Sequence, residues 1–200
     1  MGAMSKGART RAAILESAVQ MACLEGLAGI NLQPLADRVG MTKSGLYAHF
    51  GSKEALALAT LEAATDRFQS VVVTPVKSAP AGLPRLDALY EGWLAWPGNA
   101  GLPGQCPFFA AADELDDAQG PVRDRLLRLF REFGGVCMEL VASAVRHGHL
   151  TPATDPLQFW HELMGLRQAH HWAAGFMRDP QALERARTGY RRLIEASQRP

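Results

Sequence analysis

Apolar residues recur along this chain at intervals of three and four, and no segment alternates with the two-residue period of a strand. Ile14, Leu15, Ala18, Val19 and Ala22 mark a first helix from about Thr10 to Glu25, ended by Gly26. Leu32, Leu35, Ala36 and Val39 make the apolar face of a second, short helix. Leu46 and Phe50 do the same for a third, Lys43 to Phe50. From Ser52 the pattern stays helical to about Val73, where Pro75 is expected to stop it. After a loop at Lys77–Pro84, a helix from Leu83 to Trp96 presents Leu86, Leu89, Tyr90, Trp93 and Leu94. Pro97–Pro103 reads as a Gly/Pro-rich loop. A short apolar segment is helical from Pro107, and Asp113–Gln119 reads as an acidic surface turn. Three longer helices follow, Pro121–His147, Pro156 to about Met177, and a last one to about Ser197. The fold class is therefore all-α, with about nine helices.

The turn chemistry is densest in residues 31–54. Asn31 stands where a side-chain oxygen can cap the second helix, and Pro34 falls in its first turn, where a missing N–H costs little. Gly40 occupies the position at which a left-handed residue ends a helix. Thr42 is placed to cap the third helix, Gly51 closes it, and Ser52 caps the next. Two short helices joined by a tight Gly-containing turn form a helix-turn-helix. The chain is expected to divide into a three-helix DNA-binding domain, residues 5–53, and a larger helical domain, 54–200.

The outward face of the third helix carries the candidate chemistry. Lys43 and Ser44 lie in its first turn, within reach of base edges. Gly45 has no side chain, which lets a helix approach a groove floor at a cost of about 1 kcal/mol relative to Ala. Tyr47, His49 and Lys53 carry donors suited to phosphate oxygens. Asn31, Gln33 and Thr42 complete the candidate DNA-facing set. Lys6, Arg9 and Arg11 form a basic segment that reads either as a frayed terminus or as an arm on the adjacent minor groove.

Bulk composition narrows the alternatives. The 200 residues are 48% hydrophobic, ample for a packed core, with a net charge of +1. Residues 1–60 are slightly basic and the remainder slightly acidic, which supports DNA binding only weakly. Cys23, Cys106 and Cys137 form no metal-ligand spacing and no disulfide framework. No apolar run is long enough for a membrane span and no leader peptide is evident, so a cytoplasmic protein is expected. Met1–Met4 read as a cloning remnant. No cofactor or metal site is indicated. His161 and His170 are too far apart in sequence to share a helical turn, and neighbouring His170 and His171 face different ways. An all-α enzyme with a buried site built from Cys106 and His161 or His170 is the alternative, but no motif fixes its geometry.

The wording of residues 35–56 adds to this. Ala36, Gly40, Leu46-Tyr47-Ala48-His49-Phe50 and Ser52-Lys53-Glu54-Ala55-Leu56 resemble the signature of the tetracycline-repressor (TetR) family of bacterial transcription regulators. Gly45 and Ala48 are small for positions facing DNA. The resemblance implies a homodimer on double-stranded operator DNA, a regulator rather than an enzyme, and a repressor released by a small-molecule effector. It also implies a cavity in the larger domain. Phe68, Trp93, Trp96, Cys106, Phe109, Phe130, Phe133, Cys137 and Trp172 are the candidates to line it, and they suit an apolar ligand. The helix from Pro156 is apolar nearly all round, and so must be buried on several faces. It and the last helix are expected to pair with a second copy, as the family does. One reading helix covers too few base pairs for specificity. Two of them, one DNA turn apart (about 34–36 Å), would read a palindrome.

Overall fold

The structure, a computed structural model, describes residues 5–104 and 106–198. Met1–Met4 lie outside the described residues. Every regular element among those described is helical: α1 (Lys6–Glu25), α2 (Leu32–Arg38), α3 (Lys43–Phe50), α4 (Lys53–Phe68), α5 (Thr74–Val76), α6 (Leu83–Leu94), α7 (Trp96–Asn99), α8 (Pro107–Glu114), α9 (Pro121–Arg146), α10 (Pro156–Gly175) and α11 (Ala182–Gln198). They group into two compact units. The first holds residues up to Arg67 together with 101–128. The second holds 68–100 and 129 onwards. Residues 54–67 of α4 and the 101–128 segment belong to the first unit.

In the first unit, α1 begins earlier than its apolar stripe suggests. Ser5 caps it, its side chain accepting from the Ala8 N–H at 3.2 Å. The basic segment bearing Lys6, Arg9 and Arg11 is therefore the first turns of a helix and not an extended arm. Ile14, Ala18, Leu35, Ala36, Leu46 and Leu56 are fully buried and hold α1 to α4 about one core. The Met41 N–H bonds the Ala36 carbonyl at 2.9 Å across the α2–α3 turn, with Gly40 at φ 67°. This is the left-handed conformation that glycine enters without a Cβ clash. Asn31 occupies the N-cap position of α2, but its side chain makes no capping bond. Thr42 and Ser52 do cap, accepting from Gly45 and Ala55 at 3.1 and 3.0 Å.

In the second unit, the helix after Phe68 does not end at Pro75. It widens into a π turn, Gln69–Val73, and continues as α5, with Pro75 in that short helix. The Val71-Val72-Val73 run, stiff at χ1 and a poor helix former, coincides with the wide turn. Pro97-Gly98-Asn99, expected as loop, belongs to α7, where Pro97 sits in the first turn and lacks only an N–H that needs no partner. α10 and α11 pack closely: a Cβ on Gly189 would come within 2.4 Å of Leu166 Cδ2. Tyr190 and Tyr90 stack at 4.3 Å, Tyr190 donates to Asp87 at 2.8 Å and Tyr90 to the Ala186 carbonyl at 3.2 Å, tying α11 to α6. Burial pushes the Tyr90 hydroxyl up to about 12, so it stays a donor at neutral pH.

Candidate nucleic-acid interface

α3 is short, and its two faces divide cleanly. Leu46 is fully buried, whereas the next residue, Tyr47, is half exposed. Lys43 and Ser44 are exposed in the first turn, and His49 is half-buried beside Phe50. The Thr42 hydroxyl that caps the helix also lies 3.1 Å from the Ser44 hydroxyl, which orients the first turn. A local reason for Gly45 appears here that spacing alone did not reveal. A Cβ there would sit 3.2 Å from Thr42 Oγ1, a tight approach to the capping hydroxyl. On α2, Gln33 donates to Asp37 at 2.7 Å, and Asn31 is exposed. Lys53 is exposed, but its ammonium donates to the Ala28 carbonyl at 3.0 Å. Arg11 contributes as well: its guanidinium lies 4.9 Å over the Phe50 ring, so the basic face of α1 adjoins α3.

The aromatic candidates separate by unit. Cys106 and Phe109 are buried in the first unit, where α8 packs on α1. The second unit gathers Phe68, Trp93, Trp96 and Phe133 around edge-to-face contacts: Phe68–Trp96 at 5.1 Å, Phe68–Phe133 at 5.0 Å and Trp93–Phe133 at 4.8 Å. Trp160, absent from the candidate cavity lining, stacks on Trp93 at 5.9 Å. Buried Arg167 sits over the same Trp93 ring, and its Nε donates to the Trp93 carbonyl at 3.2 Å. Cys137 is fully buried and Phe130 half-buried on α9. Trp172 stands apart, more than half exposed and stacked on Phe176 at 5.7 Å. Two surface hollows of about 450 and 430 Å³ flank α10, one against α11 and one around Trp160 and His161.

His147 and His149 make contacts within the second unit. The Leu83 N–H donates to His149 Nδ1 at 3.0 Å, and His147 stacks on His149 at 6.1 Å. His170 is pushed down to about 4, chiefly by burial, then by the charges of Arg167 and His171. Burial raises the Cys23 thiol to about 12 and the Cys137 thiol further, so neither is a thiolate at neutral pH. Among the described residues no three His, Cys, Asp or Glu side chains converge as metal ligands. No helix among them is long and apolar enough to cross a membrane.

A capped, solvent-facing second helix of a helix-turn-helix, carried on a larger all-helical body, defines a DNA-binding transcriptional regulator. The comparisons are specific about which kind. The model for bacterial regulatory proteins of the tetR family matches residues 14–60, and that for the tetracyclin repressor-like C-terminal domain matches 82–190, more than half of the chain. The protein belongs to the tetracycline-repressor (TetR) family. A TetR-family regulator from Chloroflexus aurantiacus superposes with a TM-score of 0.84 at 23% identity, over 96% of both chains. One from Cytophaga hutchinsonii gives 0.81 at 22% identity, over 97% of this chain and 96% of that one. AibR, solved with isovaleryl coenzyme A and operator DNA, gives 0.68 at 24% identity, over 90% and 95%. No curated protein is similar to the chain.

Proposed function

We propose that the protein is a dimeric transcriptional repressor that reads a pseudo-palindromic operator with α3 and is released by a small, mainly apolar molecule. One observation carries the reading: the division of α3, with Leu46 sealed in the core and Lys43, Ser44 and Tyr47 turned to solvent from a capped first turn. Lys43 and Ser44 face base edges, and Tyr47 and His49 face the backbone. Asn31, Gln33 and Thr42 border that surface.

The effector reading rests on the aromatic cluster of Phe68, Trp93, Trp96, Phe133 and Trp160, in the same unit as Phe130 and Cys137. A neighbour of the same fold holds isovaleryl coenzyme A and operator DNA together, which supports a small-molecule input. To take such a repressor from 99% competent to 1%, the effector needs about 5.5 kcal/mol of preference for the released state. The dimer reading rests on the solvent-facing apolar side chains Leu157, Trp172, Phe176, Met177 and Leu183 on and between the last two helices.

The test is fluorescence anisotropy on a duplex selected from a random pool by the full chain. Lys43→Ala and Tyr47→Ala should each weaken binding about tenfold or more, the range of one lost base or phosphate contact, with unchanged melting temperature. Wild-type affinity in both variants would remove α3 from the DNA.

A further inference from the structure

Two side chains from distant parts of the sequence hold one residue of the α1–α2 loop. The Ala28 N–H donates to Glu114 Oε2 at 3.0 Å, and the Ala28 carbonyl accepts from Lys53 Nζ at 3.0 Å. Glu114 is the last residue of α8, eighty-six positions away, whereas Lys53 opens α4. All three belong to the first unit. The loop makes room for the carboxylate. A Cβ on Gly26 would fall 1.4 Å from Glu114 Oε1, and Gly26 has φ 76°. Further along the same approach, a Cβ on Gly104 would be 2.8 Å from the Cys23 carbonyl oxygen, so the chain leading into α8 lies against the end of α1 at a second point.

This loop sets where α2 leaves α1, and α2 carries α3 through the turn at Gly40. Holding Ala28 on both its polar groups therefore fixes the pose of the reading helix against α1 and α4. We infer that Glu114 is a positioning residue for DNA binding, supplied by the C-terminal half of the sequence, and that Lys53 is its counterpart in the clamp. The inference rests on α3 being the DNA reader. Segment 101–128 leaves the second unit and returns to it along the chain, through α9.

The sign of the effect separates this role from simple electrostatics. Removing a carboxylate from a DNA-binding head lowers repulsion from phosphate and, by charge alone, tightens binding. Positioning predicts the reverse. Glu114→Ala should weaken binding to the selected duplex about fivefold or more, the scale of a lost hydrogen bond to a charged group, while Glu114→Gln, which keeps an acceptor oxygen, stays within about twofold of wild type. In the DNA-free full chain, Glu114→Ala should speed exchange of the Ala28 amide about tenfold, leaving α10 and α11 amides unchanged. Lys53→Met should weaken binding as well, and wild-type affinity in that variant would take Lys53 out of the clamp. Unchanged or tighter binding by Glu114→Ala, or an Ala28 amide that exchanges at the wild-type rate, overturns the inference. Failure of the α3 reading shows separately, as Lys43→Ala and Tyr47→Ala variants that bind normally.

Discussion

Leu46 and Tyr47 are neighbours in sequence with opposite tasks, and each side chain predicts its own kind of failure. Leu46→Ala would open a void in the head core and should cost about 2–5 kcal/mol in urea unfolding. Tyr47→Ala, at a half-exposed position with no core role, should stay within about 0.5 kcal/mol of wild type in the same measurement. His170 carries a pH signature. Its folded-state pKa of about 4 lies below the usual 6.5, so the folded protein refuses a proton that the unfolded chain accepts. Stability from this group is intact above about pH 6.5 and drains away as pH falls towards 4. Glu16 and Glu62, held low by hydrogen bonds to Arg67 and Arg125, add loss at still lower pH. The melting temperature of His170→Asn, followed from pH 7 to 4.5, should fall less steeply than that of wild type. The inward and outward residues of α3 were readable from a three-and-four spacing. The burial of Arg167 and the stacking of Trp160 on Trp93 were not, because both depend on a partner helix far along the chain.

Among the elements, those with a chemical start or stop were legible before any coordinates. Pro107, Pro121 and Pro156 each open a helix where their missing N–H is harmless, and Gly26, Gly51 and Gly148 sit at helix ends with positive φ. Elements governed by packing were not. The π turn at Gln69–Val73 has no local signal beyond its valines, and α7 hides within a Pro/Gly stretch that resembles a loop. Asn31 had the right type and position for a cap yet makes none, since a capping bond also requires the side chain to turn back over its helix. Thr42 does so, and Thr42→Ala should cost about 1 kcal/mol of unfolding free energy. Thr42→Ser, which retains the oxygen, should recover most of it in the same denaturation series.

For the molecule as a whole, the last two helices make the most exposed prediction. Phe176 is 77% and Leu157 63% exposed, uncommon values for side chains of their size. Under the dimer reading, Phe176→Glu together with Trp172→Glu should convert a dimer to a monomer in sedimentation velocity, with the helical circular dichroism retained. Operator affinity should then fall steeply, because two half-sites would be read independently.

The route of the chain has a practical outcome for engineering. α8 packs on α1 in the first unit, with Phe109 and Ala111 buried there, although some forty residues separate it from the end of α4 in sequence. A fragment cut after Arg67 would shed that cover and bare apolar surface along α1. Such an excised head should melt broadly and well below the intact protein. Chimeras that graft this reading head onto a foreign sensor must carry its α8 partner with it, or redesign the stripped side of α1 to tolerate water.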